Sequence, residues 1–218
     1  MVEVNSSAVS VILPVLNEED YLAQAVAAIL EQNFKGSLEV VLAIGPSKDR
    51  TLEIAKSLVA QDSRVKIVDN PTGRTAAGLN LAIQNSSYPI IVRVDGHANI
   101  PSDYISIAVA QLEKTGAVNV GGIMAAEGET PFENAVARAM RSPLGVGAAK
   151  FHTGGSEGET DTVYLGVFKR EALEAIGGFD EHFTRAQDWE LNYRLRMNGG
   201  KIFFDIFSII PRCHVRPR

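Results

Sequence analysis

Ile90-Ile91-Val92-Arg93-Val94-Asp95-Gly96-His97 is a mostly apolar run that ends in a carboxylate, a glycine and an imidazole. A short apolar, β-branched stretch stopped by glycine reads as a buried strand of a parallel sheet. Such a strand brings Asp95 and His97 to its carboxyl edge, where open α/β sheets bind ligands. Gly96 keeps the turn tight, so the two flanking side chains can converge. Aspartate and histidine together suit a divalent cation, Mn²⁺ ahead of Mg²⁺, because Mg²⁺ prefers oxygen ligands. A cation there would hold the diphosphate of an activated substrate. Alone the tripeptide says little, since many strand-end aspartates only close an Asx turn or cap the next helix.

The surrounding chain alternates strand and helix signals. Ala8 to Leu13 is an apolar strand ended by Pro14, and Glu18 to Gln32 carries Leu22, Val26, Ile29 and Leu30 at the spacing of one helical face. Leu38 to Ile44 reads as a strand, Asp49 to Ala60 as a helix, and Arg64 to Val68 as a strand followed by the turn Asn70-Pro71-Thr72-Gly73. Thr75 to Gln84 is the helix that leads into the strand at Ile90. Repeated β-α units of this length predict an α/β fold with a Rossmann-like, mostly parallel central sheet flanked by helices.

The second half is less regular. Helices are expected over Pro101 to Lys114, Pro131 to Arg141 and Asp188 to Met197, and strands over Ala117 to Met124, Val163 to Phe168 and Lys201 to Phe204. Ser142 to Thr162 holds Gly145, Gly147, Gly154, Gly155 and Gly158. A segment this long and irregular is either a functional loop or an idle surface connection. No repeat or linker divides the 218 residues, so one domain is expected.

A net charge of -5 disfavours broad nucleic-acid binding, and hydrophobic and charged contents of 45% and 22% are those of an ordinary globular protein. The one cysteine, Cys213, excludes an internal disulfide and fits a reducing, cytoplasmic compartment. The N-terminus shows no signal-peptide pattern. The longest apolar cluster, Ile202 to Ile210, is broken by Asp205 and Ser208, short of the ~20 apolar residues that span a bilayer. The basic ending Pro211-Arg212-Cys213-His214-Val215-Arg216-Pro217-Arg218 reads either as a natural tail or as a cut through a longer, membrane-associated protein.

Val9-Ser10-Val11-Ile12-Leu13-Pro14-Val15-Leu16-Asn17-Glu18-Glu19 resembles the opening strand of family 2 glycosyltransferases. Arg74 to Asn80, Asp95-Gly96-His97, Gly177-Gly178-Phe179-Asp180-Glu181 and Gln187-Asp188-Trp189-Glu190-Leu191 follow in the order that family uses. The resemblance covers nearly the whole chain and is nearest to bacterial exopolysaccharide glucosyltransferases of the succinoglycan type. It implies a GT-A fold, with a nucleotide-binding half over about 1–100 and an acceptor half over about 101–218. It also implies a nucleotide-sugar donor (a UDP-sugar first, a GDP-sugar second), a divalent metal, Mn²⁺ or Mg²⁺, and inversion at the anomeric carbon. The transferred sugar would be a hexose, glucose first. The acceptor would be lipid-linked or polysaccharide, at the inner face of the cell membrane with peripheral association.

The resemblance also assigns roles. Asp95 and His97 stand at the family's metal-binding DXD position, with histidine in place of the usual second aspartate. His214 stands where many relatives carry a C-terminal metal histidine, or is a tail residue without a ligand. Asp188 matches the family's catalytic base, which takes the acceptor's proton; the bland alternative is a helix N-cap. Gln187 replaces the usual neighbouring glutamate. Pro14 and Glu18 match positions beside the base and ribose, Asp49 matches a late acidic position of the nucleotide signature, and Arg74 could approach base or phosphates. Ile44-Gly45-Pro46-Ser47 replaces two customary acids, which leaves the identity of the base open. Glu18 and Asp49 read equally well as first-turn acids favoured by the helix dipole.

On the acceptor side, Gly166 would let donor sugar or acceptor approach the backbone, or else mark a buried bend. Phe179 would sit near the acceptor, and Trp189 would be either a sugar platform or core. Two other functions compete. A sugar nucleotidyltransferase would show a glycine-rich, basic N-terminal loop, which Leu13 to Glu19 lacks. A non-catalytic nucleotide-sugar-binding module would keep the sheet without turnover.

Overall fold

The computed structural model describes residues 8–127, 130–140, 142 and 155–214. Gly145, Gly147 and Gly154 of the expected functional loop lie outside them. Four β-α units open the chain: β1 (Val9–Val15), α1 (Leu22–Leu30), β2 (Leu38–Ile44), α2 (Thr51–Gln61), β3 (Val65–Asp69), α3 (Thr75–Gln84), β4 (Ile90–Arg93) and α4 (Tyr104–Thr115). Then come β5 (Asn119–Glu127), α5 (Pro131–Met140), β6 (Gly158–Glu159), β7 (Val167–Lys169), α6 (Arg170–Ala175), α7 (Gln187–Met197) and β8 (Ile202–His214).

One eight-stranded sheet runs β3-β2-β1-β4-β7-β5-β8-β6. β1 pairs in parallel with β2 and β4, and β2 with β3. The antiparallel β7 then sits between β4 and β5, and β8 pairs in parallel with β5. The sheet is therefore mostly parallel, as expected, and its strand order reverses beside β1, opening a crevice at the carboxyl ends of β1 and β4.

Period-2 alternation divides the core. Val9, Val11, Leu13 and Val15 of β1 face α1 and α4, packing with Leu22, Val26, Ile29 and Ile105, all buried. Ile12 and Ile91 face the other way, toward Leu79 of α3, Phe168 of β7 and Leu191 of α7. Burying each such side chain stabilises by roughly 1.5–3 kcal/mol, so both faces are anchored to the strands that carry the site.

Several elements differ from the sequence expectation, among them β6 and α6, which it did not include. α1 begins at Leu22 rather than Glu18, because residues 18–21 form a turn in which the Leu22 amide donates to the Glu18 carbonyl at 2.9 Å. β7 is three residues long, since Leu165 adopts φ 44° and breaks the extended path. β8 extends to His214 although Asp205 interrupts its apolar run; Asp205 is fully buried. Among the described residues no helix is long and apolar enough to cross a membrane.

Candidate active site

A cavity of about 700 Å³ opens in the crevice between β1 and β4. Pro14 near the end of β1 and Leu16 and Glu18 beyond it form one wall, Asp95, Gly96 and His97 follow β4, and Asn70 and Gly73 come from the turn before α3, with Thr75 at its start. Thr184 to Gln187, leading into α7, close the remaining side. Distant segments thus meet where the strand ends leave space.

Arg93 is the hub of this cavity. It stands two residues before Asp95, so the pleat sends both side chains to one face. Its side chain is only 6% exposed. Nη2 donates to Asp95 Oδ1 at 3.3 Å, Nη1 donates to Asp188 Oδ1, and the guanidinium lies 5.9 Å from the centre of the Phe179 ring. Burial works against the guanidinium's charge, but Asp188 and Asp95 outweigh it and raise its pKa further. Tyr164 completes the group by donating its hydroxyl to Asp95 Oδ2 at 3.0 Å.

Asp188 is the second residue of α7. The N-cap position belongs to Ala186, held at φ 57°, and the carboxylate turns to Arg93 instead of capping, which removes the N-cap alternative. Its pKa lies above the ordinary aspartate value: burial raises it most, the Arg93 guanidinium pulls it back, and nearby Asp95 adds to the rise. A carboxylate so placed is a better proton acceptor than one in free water.

Asp95 and His97 fit a cation of the kind that bridges substrate phosphates, which one or two protein ligands hold while phosphates and water complete the shell. His97 Nδ1 lies 3.0 Å from Glu18 Oε1, the kind of carboxylate–imidazole pairing that orients metal-binding histidines. Each Asp95 oxygen already accepts one hydrogen bond and has capacity for another. Among the described residues no group of three or more His, Cys, Asp or Glu forms a complete cage. His214 lies at the end of β8, its backbone opposite Glu127, and its side chain is outside the described residues. No described contact joins it to Asp95 and His97.

The donor-side expectations divide. Pro14 and Glu18 line the cavity, but Asp49 and Arg74 do not. Asp49 Oδ1 accepts from the Thr51 amide at 3.0 Å and from its hydroxyl at 2.5 Å, and Oδ2 accepts from the Glu19 amide at 3.2 Å. The Thr51 hydroxyl in turn accepts from the Glu18 amide at 2.7 Å. Asp49 thus locks the turn after β1 to the turn before α2. These bonds lower its pKa against the opposing effect of burial, the largest influence. Arg74 is exposed, with Gly73 and Thr75 on either side of it facing the cavity.

On the acceptor side, the close approach at Gly166 is made by the protein itself. A Cβ there would lie 2.1 Å from Asn119 Oδ1 and 2.6 Å from Phe168 Cζ, so packing between β7 and β5 already requires the bare backbone. Phe179 is 3% exposed and packs edge-on against Phe168, which makes it a floor beneath Arg93 rather than an acceptor surface. Trp189 is not core: it is 57% exposed and stacks on Tyr193 with an interplanar angle of 12°.

Sequence reasoning passed over Arg93 and Tyr164. Arg93 carried a signal, a charge inside an apolar strand at the same parity as Asp95. Tyr164 carried none, because its contact depends on how the irregular segment before β7 folds back. Backbone strain marks the site too: the non-glycine residues with positive φ among those described are Asn17, Leu165 and Ala186, beside Leu16, beside Tyr164 and at the cavity wall.

Comparison with known proteins gives the same picture. Residues 10–177 match Glycosyl transferase family 2. The chain is 32% identical over 220 residues to the succinoglycan biosynthesis protein ExoA of Rhizobium meliloti, covering 99% of this chain and 67% of that protein. It is 25% identical over 205 residues, 89% of this chain and 63% of the relative, to a Methanococcus voltae dolichyl N-acetyl-alpha-D-glucosaminyl phosphate 3-beta-D-2,3-diacetamido-2,3-dideoxy-beta-D-glucuronosyltransferase. Among solved structures, S. aureus TarS 1-349 in complex with UDP-GlcNAc superposes with a TM-score of 0.75 at 19% identity, over 97% of this chain and 59% of that one. The mannosyltransferase PcManGT from Pyrobaculum calidifontis, in complex with GDP-Man and Mn²⁺, gives 0.70 at 24% identity, over 93% and 55%. These structures establish the GT-A fold. The chain spans about two thirds of the length of the curated relatives and about six tenths of the structural ones. With a family match over 168 of 218 residues (177 − 10 + 1) and ExoA similarity from end to end, the chain belongs to glycosyltransferase family 2.

Proposed function

We propose that this chain is the catalytic domain of an inverting hexosyltransferase, with a UDP-sugar, UDP-glucose first, as donor and a lipid-linked or polysaccharide acceptor. The setting is exopolysaccharide or cell-envelope glycan synthesis at the inner face of the cell membrane. The observation that carries the reading is the chain Asp95–Arg93–Asp188, in which one guanidinium joins two carboxylates from opposite halves of the sequence, Asp95 lining the cavity and Asp188 standing next to Gln187 of its wall. The setting rests on likeness to a succinoglycan biosynthesis protein, and the donor class on relatives that bind UDP, UDP-GlcNAc and GDP-Man.

In this reading the acceptor hydroxyl attacks the anomeric carbon from the Asp188 side. The new C–O bond forms as the bond to the diphosphate breaks, the diphosphate leaves with the bonding electrons, and Asp188 takes the hydroxyl proton. A divalent cation, Mn²⁺ or Mg²⁺, held by Asp95 and His97 would supply charge stabilisation for the departing phosphates. Glu18 orients His97, Pro14 and Leu16 border the nucleotide, and Trp189 offers an aromatic face to the acceptor next to the base.

A panel of UDP- and GDP-sugars with and without Mn²⁺ tests the proposal, read by thermal stabilisation and by release of nucleoside diphosphate. A metal-dependent rise in melting temperature with one donor and slow release of its nucleotide are expected. Asp95→Ala should abolish the metal dependence. Nucleotide binding without turnover of any donor, with acceptor glycans present, would instead mark a binding module.

A further inference from the structure

We infer that Arg93 is the positioning residue of the transfer step, holding the Asp188 carboxylate in its working orientation and in register with Asp95. The inference rests on the reading of Asp188 as base.

A buried ion pair adds little net stability, because desolvating the charges offsets much of their attraction, so stability gives little reason to bury an arginine here. The geometry supplies a positional reason. Arg93 projects from a central strand paired on both sides, the most rigid kind of scaffold the fold offers. Phe179 closes one side of the guanidinium, and its two terminal nitrogens divide between the two acids. The nitrogen nearest the stem, Nε, has no hydrogen-bond partner among the described residues. All its described side-chain bonds thus go to the candidate base and the candidate metal ligand.

Without that cation, two carboxylates would face each other across a poorly hydrated space, and repulsion would turn them apart. Asp188 is especially exposed to such a turn. It sits in the first turn of its helix, two residues after the strained Ala186, with no side-chain cap bond fixing the helix start. Lysine could not replace Arg93, since an ammonium is a compact point charge and lacks the planar fork that reaches two acids at once.

Arg93→Lys and Arg93→Ala are the test, with donor affinity and kcat measured separately at saturating donor. For Arg93→Lys we expect donor Kd within about threefold of wild type and kcat reduced roughly a hundredfold, the usual effect of misplacing a catalytic group by an ångström. Methylguanidinium added to Arg93→Ala should enter from the cavity and restore kcat at least about tenfold, which a purely structural role would not allow. Should the alanine variant fail to fold, the lysine variant decides alone, since it keeps the charge. Wild-type kcat in Arg93→Lys would overturn the inference. So would a loss confined to donor affinity, which would make Arg93 a donor ligand. A wild type inactive with every donor overturns the functional reading as well, whereas an active wild type beside an unimpaired Arg93→Lys overturns only this one.

Discussion

Gly166→Ala separates a packing role for the bare backbone from a role in sugar binding. The added Cβ would lie 2.1 Å from Asn119 Oδ1, 2.7 Å from its Cγ and 2.6 Å from Phe168 Cζ, where ordinary contact begins at 3.4 Å. Asn119 must then withdraw by 3.4 − 2.1 = 1.3 Å. It cannot do so freely, because its Nδ2 donates to Asn192 Oδ1 at 2.6 Å, and Asn192 Nδ2 donates onward to Thr162 Oγ1 at 3.0 Å. Both asparagines are buried. Overpacking costs about 1–3 kcal/mol, and stranding a buried amide about 1–3 kcal/mol more. For a chain of this size each kcal/mol moves the melting temperature by roughly 2–4 °C, so a drop on the order of 10 °C is expected. Thermal melts followed by circular dichroism measure it. Asn119→Ala in the same background removes two of these three obstructing atoms, the nearest included, and should recover part of the loss. A melting temperature within about 2 °C of wild type, together with lost transfer, would refute the packing argument and return Gly166 to the sugar.

Asp188→Asn keeps the size of the side chain and an oxygen for Arg93, so donor binding should survive while kcat falls about 10²–10⁴-fold; wild-type kcat would remove Asp188 from the mechanism. Ala186→Gly relieves a left-handed backbone and should raise stability by about 1 kcal/mol in urea unfolding; a destabilised variant would show that the Ala186 methyl matters more than its strain. Glu39 is buried where β1, β2 and β3 adjoin: burial pushes its pKa up, but bonds from Lys66, Ser10 and the Ser87 amide together hold it below the usual value. A lowered native pKa adds stability above the unfolded value, about 4.3, and that stability is lost as pH falls through the native value. Glu39→Gln should therefore lower the urea midpoint at pH 7, with the gap to wild type narrowing below about pH 4. Parallel curves from pH 7 to pH 3 would contradict the assignment.

Much of the fold was legible because alternation and helical spacing are local properties. Thr75–Gln84 and Leu38–Ile44 come out with the boundaries their sequence predicts. β8 was read as four residues and is thirteen, since the cost of Asp205 inside a strand is settled by neighbours the sequence does not name. The site divides along the same line. Asp95, Gly96 and His97 are adjacent in sequence, so their convergence at a strand end needed only the strand, and Glu18 and Pro14 followed from the first β-α turn. Asp49 stayed open between two roles because a carboxylate just before a helix looks the same whether it binds a ligand or braces a loop, and only the positions of Thr51 and the Glu19 amide show the brace.

By itself the sequence determined the α/β alternation, the strand edge that carries Asp95 and His97, and the order of motifs that marks the family. Those features depend on residues within a few positions of one another. Tertiary structure alone decided that Asp188, 93 residues beyond Asp95, shares a guanidinium with it, that Phe179 lies beneath the cavity, and that Tyr164 reaches Asp95. Contacts across such separations follow from how β7 inserts between β4 and β5 and how α7 packs over the sheet, and the free energy of that packing is a sum over the whole core that no single stretch of chain encodes.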